Sequence, residues 1–476
     1  MRSLFLFSVL YFITTILSAQ NTWTLDRCIV HALENNIEIQ QSDLNVEMSE
    51  INLKSAKANL LPGINADAGY NLNYGRSLDP TTYDFETQQI KNSNLSMSSG
   101  LDIFTGGNKI NRIKQNQLNL KANRLLNKNV QNNIALQVTS AYLQILLARE
   151  NLKTLEHQLD ISLEQYRQTT KMYENGAVPE GNLLEVEAQM TNDTVNMIQA
   201  QNSLIISLLS LQQLLQIDLS EEFDIYSPDI EVSDLNYIVS NDPEEVYQIA
   251  LGNQPIIESN TYAEMSAERA VKAAKGLYYP SIRLIANLRT NHSSLGKQQS
   301  GTEVINNPPI GYVAGSNETV RSFQNAEIPI LEDAPFYTQY DNNFNQTVGI
   351  SMSVPILNGL QTRYNVKNAQ LQLEQQKLEN ASTRNQLKND VYVAHNDARL
   401  AFQTYKARQR ALDATQRSFE YVEKRFNIGA ANLLEYTTAK TNYANAAVNL
   451  TSAKYDYILK TKVLDFYLGK PISLDE

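Results

Sequence analysis

The chain has 476 residues and a formal net charge of −11, with a pI of about 5.1, which disfavours nucleic acid as a partner. Its mean hydropathy of −0.37 excludes a bundle of transmembrane helices, but not a membrane β-barrel, whose strands are short and half polar. Its 25 Tyr against one Trp, with many Asn and Gln, suit long hydrated surfaces better than one large dry core.

The N-terminus reads as an export signal. Arg2 supplies the positive region, Leu4 to Leu17 form an apolar run, and Ser18-Ala19-Gln20 offers a cleavage point after Ala19. Residues 1–19 are therefore assigned to a signal peptide. The single cysteine, Cys28, lies beyond the cleavage point and makes no intramolecular disulfide, so packing and assembly must hold the fold.

The mature chain is written twice. Ala32-Leu33-Glu34-Asn35 returns as Ala250-Leu251-Gly252-Asn253, and Pro62 returns as Pro280. Ala56-Lys57-Ala58 matches Ala274-Lys275-Gly276, and Leu101 to Gly106 match Val354 to Gly359. Tyr173 to Ala177 match Phe426 to Ala430, and Asn182 to Glu185 match Asn432 to Glu435. These matches divide the chain into a first repeat (20–217), a linking segment (218–242), a second repeat (243–469) and a tail (470–476). Each repeat reads helix, strand, loop, strand, very long helix, tight turn, very long helix.

The strands show a period of two. Ile64, Ala66, Ala68, Tyr70, Leu72 and Tyr74 alternate with polar residues, and so do Leu95, Met97, Leu101 and Ile103. The second repeat offers Ile282, Leu284, Ala286 and Leu288, then Phe344, Val348, Ile350, Met352, Val354 and Ile356. Such strands, apolar on one face, fit a transmembrane β-barrel. Four strands cannot close one, because an open edge in lipid leaves backbone groups unpaired. Three copies would supply twelve strands. The stretch from Asn291 to Asn343, rich in Gly, Pro and Asn, is expected to be an extracellular loop.

The helical arms contain no Gly or Pro from Asn108 to Asn175, nor from Leu360 to Ile428. Either could extend roughly 100 Å at 1.5 Å per residue. A heptad seam runs through Val391, Ala394, Ala398, Phe402, Tyr405, Leu412, Phe419, Val422 and Phe426. The returning arm answers with Tyr436, Ala439, Tyr443, Ala446, Leu450, Ala453 and Tyr457, alternating large and small. At the second turn, Gly429 fits a left-handed helix stop, and Asn432 with Glu435 fits a capping box. Asn182 and Glu185 repeat that pair at the first turn. There Gly176-Ala177-Val178-Pro179-Glu180-Gly181 carries extra residues, so either Gly176 or Gly181 could be the tip glycine. Val178, Ile428, Ala430 and Ala431 are expected to be exposed apolar tip residues.

Over nearly its whole mature length the chain resembles the TolC-type outer-membrane efflux channels. The most specific local match is Arg425-Phe426-Asn427-Ile428-Gly429-Ala430-Ala431-Asn432-Leu433-Leu434-Glu435, similar to the family's hairpin-tip pattern. The resemblance implies a mixed α and transmembrane β fold: a homotrimer with a twelve-stranded barrel in outer-membrane lipid, continued by a twelve-helix periplasmic tunnel. It implies docking of the tips on a periplasmic adaptor (membrane fusion) protein that leads to an inner-membrane pump of RND or ABC type. The docking tips would be Gly176, Ala177, Val178 and Gly181 with Ile428, Gly429, Ala430 and Ala431. The family's acidic constriction falls on Glu435 and on Thr438, which is not acidic. Its basic tip residue falls on Ala431. Glu185 and Glu187 are the corresponding acids of the other hairpin.

No enzymatic constellation is present in the sequence, and no cofactor is expected. His31, His157, His292 and His395 lie in separate elements without ligand spacing. The expected function is a passive outer-membrane exit duct for efflux or type I secretion. The alternatives are a non-conducting periplasmic tether, which the alternating strands disfavour, and an outer-membrane lipid hydrolase, which should show a Ser/His pair on its strands.

Overall fold

The computed structural model describes residues 23–78, 85–228 and 242–470. The proposed signal peptide, much of the linking segment and all of the tail but Lys470 lie outside the described residues. The chain forms two compact units, and both take residues from each half of the sequence.

Of the described residues, the helical unit takes 23–52, 116–228, 242–267 and 372–470. Helix α1 (Leu25–Asn35) starts at Thr24, whose hydroxyl accepts the Arg27 amide at 3.3 Å, and α2 (Ile37–Ala58) follows at once. Two long helices come next, α3 (Asn108–Glu174) and α4 (Glu180–Leu215). The second half supplies α5 (Pro243–Asn253), capped by Asp242 with Pro243 in its first turn, and α6 (Pro255–Gly276). It closes with α8 (Gln361–Asn427) and α9 (Leu433–Leu468). The lengths recur in the same order: 11, 22, 67 and 36 residues in each half. Among the described residues no helix is long and apolar enough to cross a membrane.

Two hydrophobic clusters hold this unit. One joins Leu25, Cys28 and Ala32 of α1 to Ile134, Val138, Tyr142 and Ile145 of α3, Leu211 and Leu215 of α4, and Ile458 of α9. Each fully buried Leu or Ile there contributes about 1.5–3 kcal/mol. Burial pushes the Cys28 thiol up to about 12, which makes it inert at neutral pH. The other cluster joins Val246, Ala250 and Ile257 to Leu387, Val391, Ala398 and Leu464. The seam reads as expected: Val391, Ala394, Ala398 and Phe419 are buried on α8, and Tyr436, Ala446, Ala453 and Tyr457 on α9. Aromatic pairs interlock along it, Phe426 with Tyr436 at 4.7 Å, Phe419 with Tyr443 at 5.7 Å and Phe402 with Tyr457 at 5.2 Å.

Of the described residues, the strand unit takes 53–78, 85–115 and 268–371. Strands β1 (Gly63–Leu78), β2 (Phe85–Thr105), β3 (Ser281–Ser293) and β8 (Asn345–Ser353) form one antiparallel sheet in the order β1-β2-β3-β8. Strands β1 and β2 are longer than the roughly ten residues a membrane strand requires. One face is apolar across all four strands: Ile64, Ala66 and Ala68, then Leu95 and Met97, then Leu284, Ala286 and Leu288, then Val348, Ile350 and Met352. Ile103 departs from its expected place. The register shifts between Asp102 and Phe104, so Ile103 is the extra residue of a bulge and Phe104 faces Ile282 instead. Phe344, Val354 and Ile356 fall outside β8, which ends at Ser353.

The stretch expected as a loop between Asn291 and Asn343 has structure of its own. It holds two small antiparallel pairs, β4 (Lys297–Ile305) with β7 (Ala326–Asp333) and β5 (Pro309–Tyr312) with β6 (Thr319–Arg321). A short helix α7 (Phe336–Asn342) returns the chain to the sheet. Its Gln339 side chain donates to the carbonyls of Ser293 and Ala334 and accepts the Ser293 amide, stitching the base of the excursion.

Candidate functional site

Both hairpin tips lie in the helical unit and use the same stop. Gly429 has φ 76°, its amide bonds the Phe426 carbonyl at 2.9 Å, and the Ala430 amide bonds the Arg425 carbonyl at 2.7 Å. Gly176 has φ 72°, with the equivalent bonds from Gly176 to Tyr173 and from Ala177 to Met172, both at 2.8 Å. This is the Schellman arrangement, which satisfies the last carbonyls of a helix. Gly176 is therefore the first tip glycine. Gly181 sits inside the first turn of α4 without positive φ.

The starts of the return helices differ. Asn432 caps α9, its side-chain oxygen accepting the Glu435 amide at 2.8 Å. The capping pair expected at Asn182 and Glu185 is not formed. The inserted residues start α4 earlier, behind Pro179, whose position has no side-chain cap bond, and Asn182 already lies within the helix.

Glu435 is exposed and ion-paired. The Arg425 guanidinium lies 3.5 Å from its carboxylate and also donates to the Ala430 carbonyl at 2.7 Å. Ala431 carries no charge, and the cation that pairs with Glu435 is Arg425, in the last turn of α8 beside Lys424. Sequence reasoning passed over Arg425, although it stands in the tip string. Thr438, Glu185 and Glu187 are exposed on their helices. Of the apolar tip residues, Ile428 is 80% exposed and Ala430 is exposed, whereas Val178 and Ala431 are half-buried.

A second cluster, not anticipated, lies deeper in the arms. Lys440 of α9 is buried, and its amine donates to the Ser162 hydroxyl of α3 at 2.6 Å. Ser162 donates to the Asp193 carboxylate of α4, which also accepts from Gln189 at 3.0 Å. Burial pushes the Lys440 amine down to about 8, opposed by the nearby Asp193 charge. The cluster ties the second hairpin to both helices of the first. Its signal was available: Lys440 lies four residues after Tyr436 and three before Tyr443, on the apolar stripe.

Comparison with known proteins agrees with this geometry. The outer membrane efflux protein family model matches residues 28–215 and 246–470. The outer membrane protein TolC of Vibrio cholerae is 21% identical over 417 residues, covering 87% of this chain and 83% of its own. The alkaline protease secretion protein AprF of Pseudomonas aeruginosa is 22% identical over 458 residues, covering 92% and 82%. The crystal structure of the Campylobacter jejuni CmeC outer membrane channel superposes with a TM-score of 0.73 at 17% identity, covering 95% of this chain and 87% of that one. A family model that accounts for both halves, joined to a common fold, is decisive: this chain belongs to the outer membrane efflux protein family, whose place is the outer membrane of Gram-negative bacteria.

Proposed function

We propose that the protein is a homotrimeric exit duct. Three chains close a twelve-stranded barrel in outer-membrane lipid and continue it as a twelve-helix α-barrel across the periplasm. Substrates pass passively, driven by an inner-membrane pump of RND or ABC type and handed on by a periplasmic adaptor. The adaptor docks on the tips around Gly176 and Gly429, and Glu435 with Arg425 lines the narrow periplasmic end. The excursion between Asn291 and Asn343 faces the outside. The chain arose by duplication, 20–217 and 243–469 being the copies, joined by 218–242.

One observation carries this reading: a four-stranded antiparallel sheet with two open edges whose apolar face is exposed, Ile350 at 71% and Val348 at 77%. Such a face needs lipid, and such edges need further strands. The recurrence of helix lengths and the two stretches matched by the family model support the duplication. Protein purified in mild detergent should have the mass of three protomers and give single-channel currents in a planar bilayer. A trimer that never conducts would favour a periplasmic tether.

A further inference from the structure

We infer that β8 of one protomer joins β1 of the next in a fixed register, with Val348 opposite Leu72, Ile350 opposite Tyr70 and Met352 opposite Ala68 of the neighbouring copy. The inference rests on the trimeric closure and duplication proposed above, and adds which residues meet at the seam.

The duplication predicts registers that can be checked inside the chain. Pro62 corresponds to Pro280 and Gly106 to Gly359. The same steps carry Gly63 to Ser281 and Gly100 to Ser353. Gly63 faces Gly100 in the pairing of β1 with β2, and Ser281 faces Ser353 in the pairing of β3 with β8. The two halves therefore share one register. The turn that follows β2 and the segment after β8 is shared too, Gly106 at φ 60° and Gly359 at φ 61°.

One pairing in the sheet joins the halves, β2 with β3. Its counterpart is β8 with β1, which are the two edges of the sheet and must meet on different chains. Carrying each pair across fixes the register. Leu95 opposite Thr290 becomes Val348 opposite Leu72, Met97 opposite Leu288 becomes Ile350 opposite Tyr70, and Ser99 opposite Ala286 becomes Met352 opposite Ala68. Phe104 opposite Ile282, beyond the bulge, becomes Leu357 opposite Ile64.

Two independent features agree. The pairs lie on the apolar face of both strands, which a slip of one residue would destroy. The segment after β8 also matches. Strand β2 runs on to Thr105, the counterpart of Asn358, whereas β8 ends at Ser353 and leaves Ile356 at 94% and Leu357 at 84% exposure. Pairing with β1 of the next copy would extend β8 to the same point. The close glycine contact beside the strand ends is not copied in kind. Gly276 approaches Gly106 so closely that a Cβ would meet its carbonyl at 2.7 Å, and Ala58 stands in the corresponding place.

The test is disulfide trapping in a Cys28→Ala background. Val348→Cys with Leu72→Cys should link chains under mild oxidation into reducible dimers and trimers. Shifting the second cysteine by two residues, to Tyr70→Cys or Tyr74→Cys, keeps the apolar face and should lower the yield at least tenfold. Leu95→Cys with Thr290→Cys gives the in-chain reference for a pair of this type. If a double variant fails to assemble, the single variants Val348→Cys and Leu72→Cys are co-expressed, where a mixed dimer alone reports the seam. A shifted pair that links as well as or better than Val348 with Leu72 overturns the register and leaves the trimer standing. A trimer in which none of the three pairs links also overturns it. A monomer by mass with no links overturns the trimer itself.

Discussion

The two hairpin tips stop their descending helices identically and begin their return helices differently. Gly176 and Gly429 share a φ near 75° and the same pair of amide bonds. Beyond them, α9 is capped by Asn432 and clamped by Arg425, while α4 starts behind Pro179 with no side-chain cap. A helix stop of this kind depends on one backbone conformation and tolerates changes around it. A helix start depends on one side chain at one position, and an insertion of a few residues removes it. The second tip therefore carries more side-chain ties, and deeper in the arms Lys440 fastens its hairpin to the first.

Breaking that fastening should have the largest effect. Lys440→Met leaves Asp193 buried without its cation, which costs about 3–5 kcal/mol. Chemical denaturation of the assembled protein should show this as an earlier midpoint, and adding Asp193→Leu should recover most of the loss. A pH series sharpens the point. Folding holds the Lys440 amine near 8 against its ordinary 10.5, so between those values the unfolded chain binds more protons. Wild-type stability should thus rise with pH through that window relative to Lys440→Met. A constant difference would mean the amine titrates normally.

Next come the glycines. Gly429→Val and Gly176→Val each force a β-branched residue into a left-handed conformation, costing about 1–3 kcal/mol. The costs should match, because the backbones match. Drug resistance or secretion assays need not match, and a loss confined to Gly429→Val with normal trimer levels would assign docking to the second tip. Activity equal to wild type in both would remove the tips from docking.

The caps should separate the tips cleanly. Asn432→Ala should cost about 1 kcal/mol, and Asn182→Ala close to nothing, since Asn182 caps no helix. Equal losses in thermal stability would restore the symmetrical tips expected from sequence. The smallest stability effect belongs to Glu435→Gln, because an exposed pair with Arg425 contributes about 0–1 kcal/mol. Its readout is ion selectivity. If the protein is the proposed trimer with Glu435 at its narrow end, three converging carboxylates would favour cations, and the reversal potential across a salt gradient should move towards anions in the variant. An unchanged potential would leave Glu435 as part of the helix start alone.

Regular features were legible in the sequence because they repeat. The breaker-free arms, the aromatic and alanine seam and the alternating strands all follow from periods that survive single substitutions. Gly429 was legible because it stands alone in its turn. Gly176 and Gly181 could not be ranked, since the choice depends on where Pro179 begins α4. The bulge at Ile103 left no trace, because alternation continues through it on paper while the backbone slips by one. Arg425 and Lys440 were missed for another reason. A cation on a helix reads as solvated until a partner on a different helix is known, and Glu435, Ser162 and Asp193 are far from them in sequence or hidden by it.

The pairing of β2 with β3 has a consequence for the order of events in biosynthesis. Thr105 faces Ser281, and the whole first helical hairpin intervenes. A chain that emerges from its N-terminus forms the β1–β2 hairpin while the strand that must lie beside β2 is still to come. The local helices can form in microseconds, whereas a pairing of such large sequence separation waits on loop closure and is slow. For that interval β2 carries a bare edge and an apolar face in water. Productive maturation therefore becomes a race between delivery of β3 and sticking to other chains, and a holding factor that shields a β-hairpin would tilt the race more than one that shields helices.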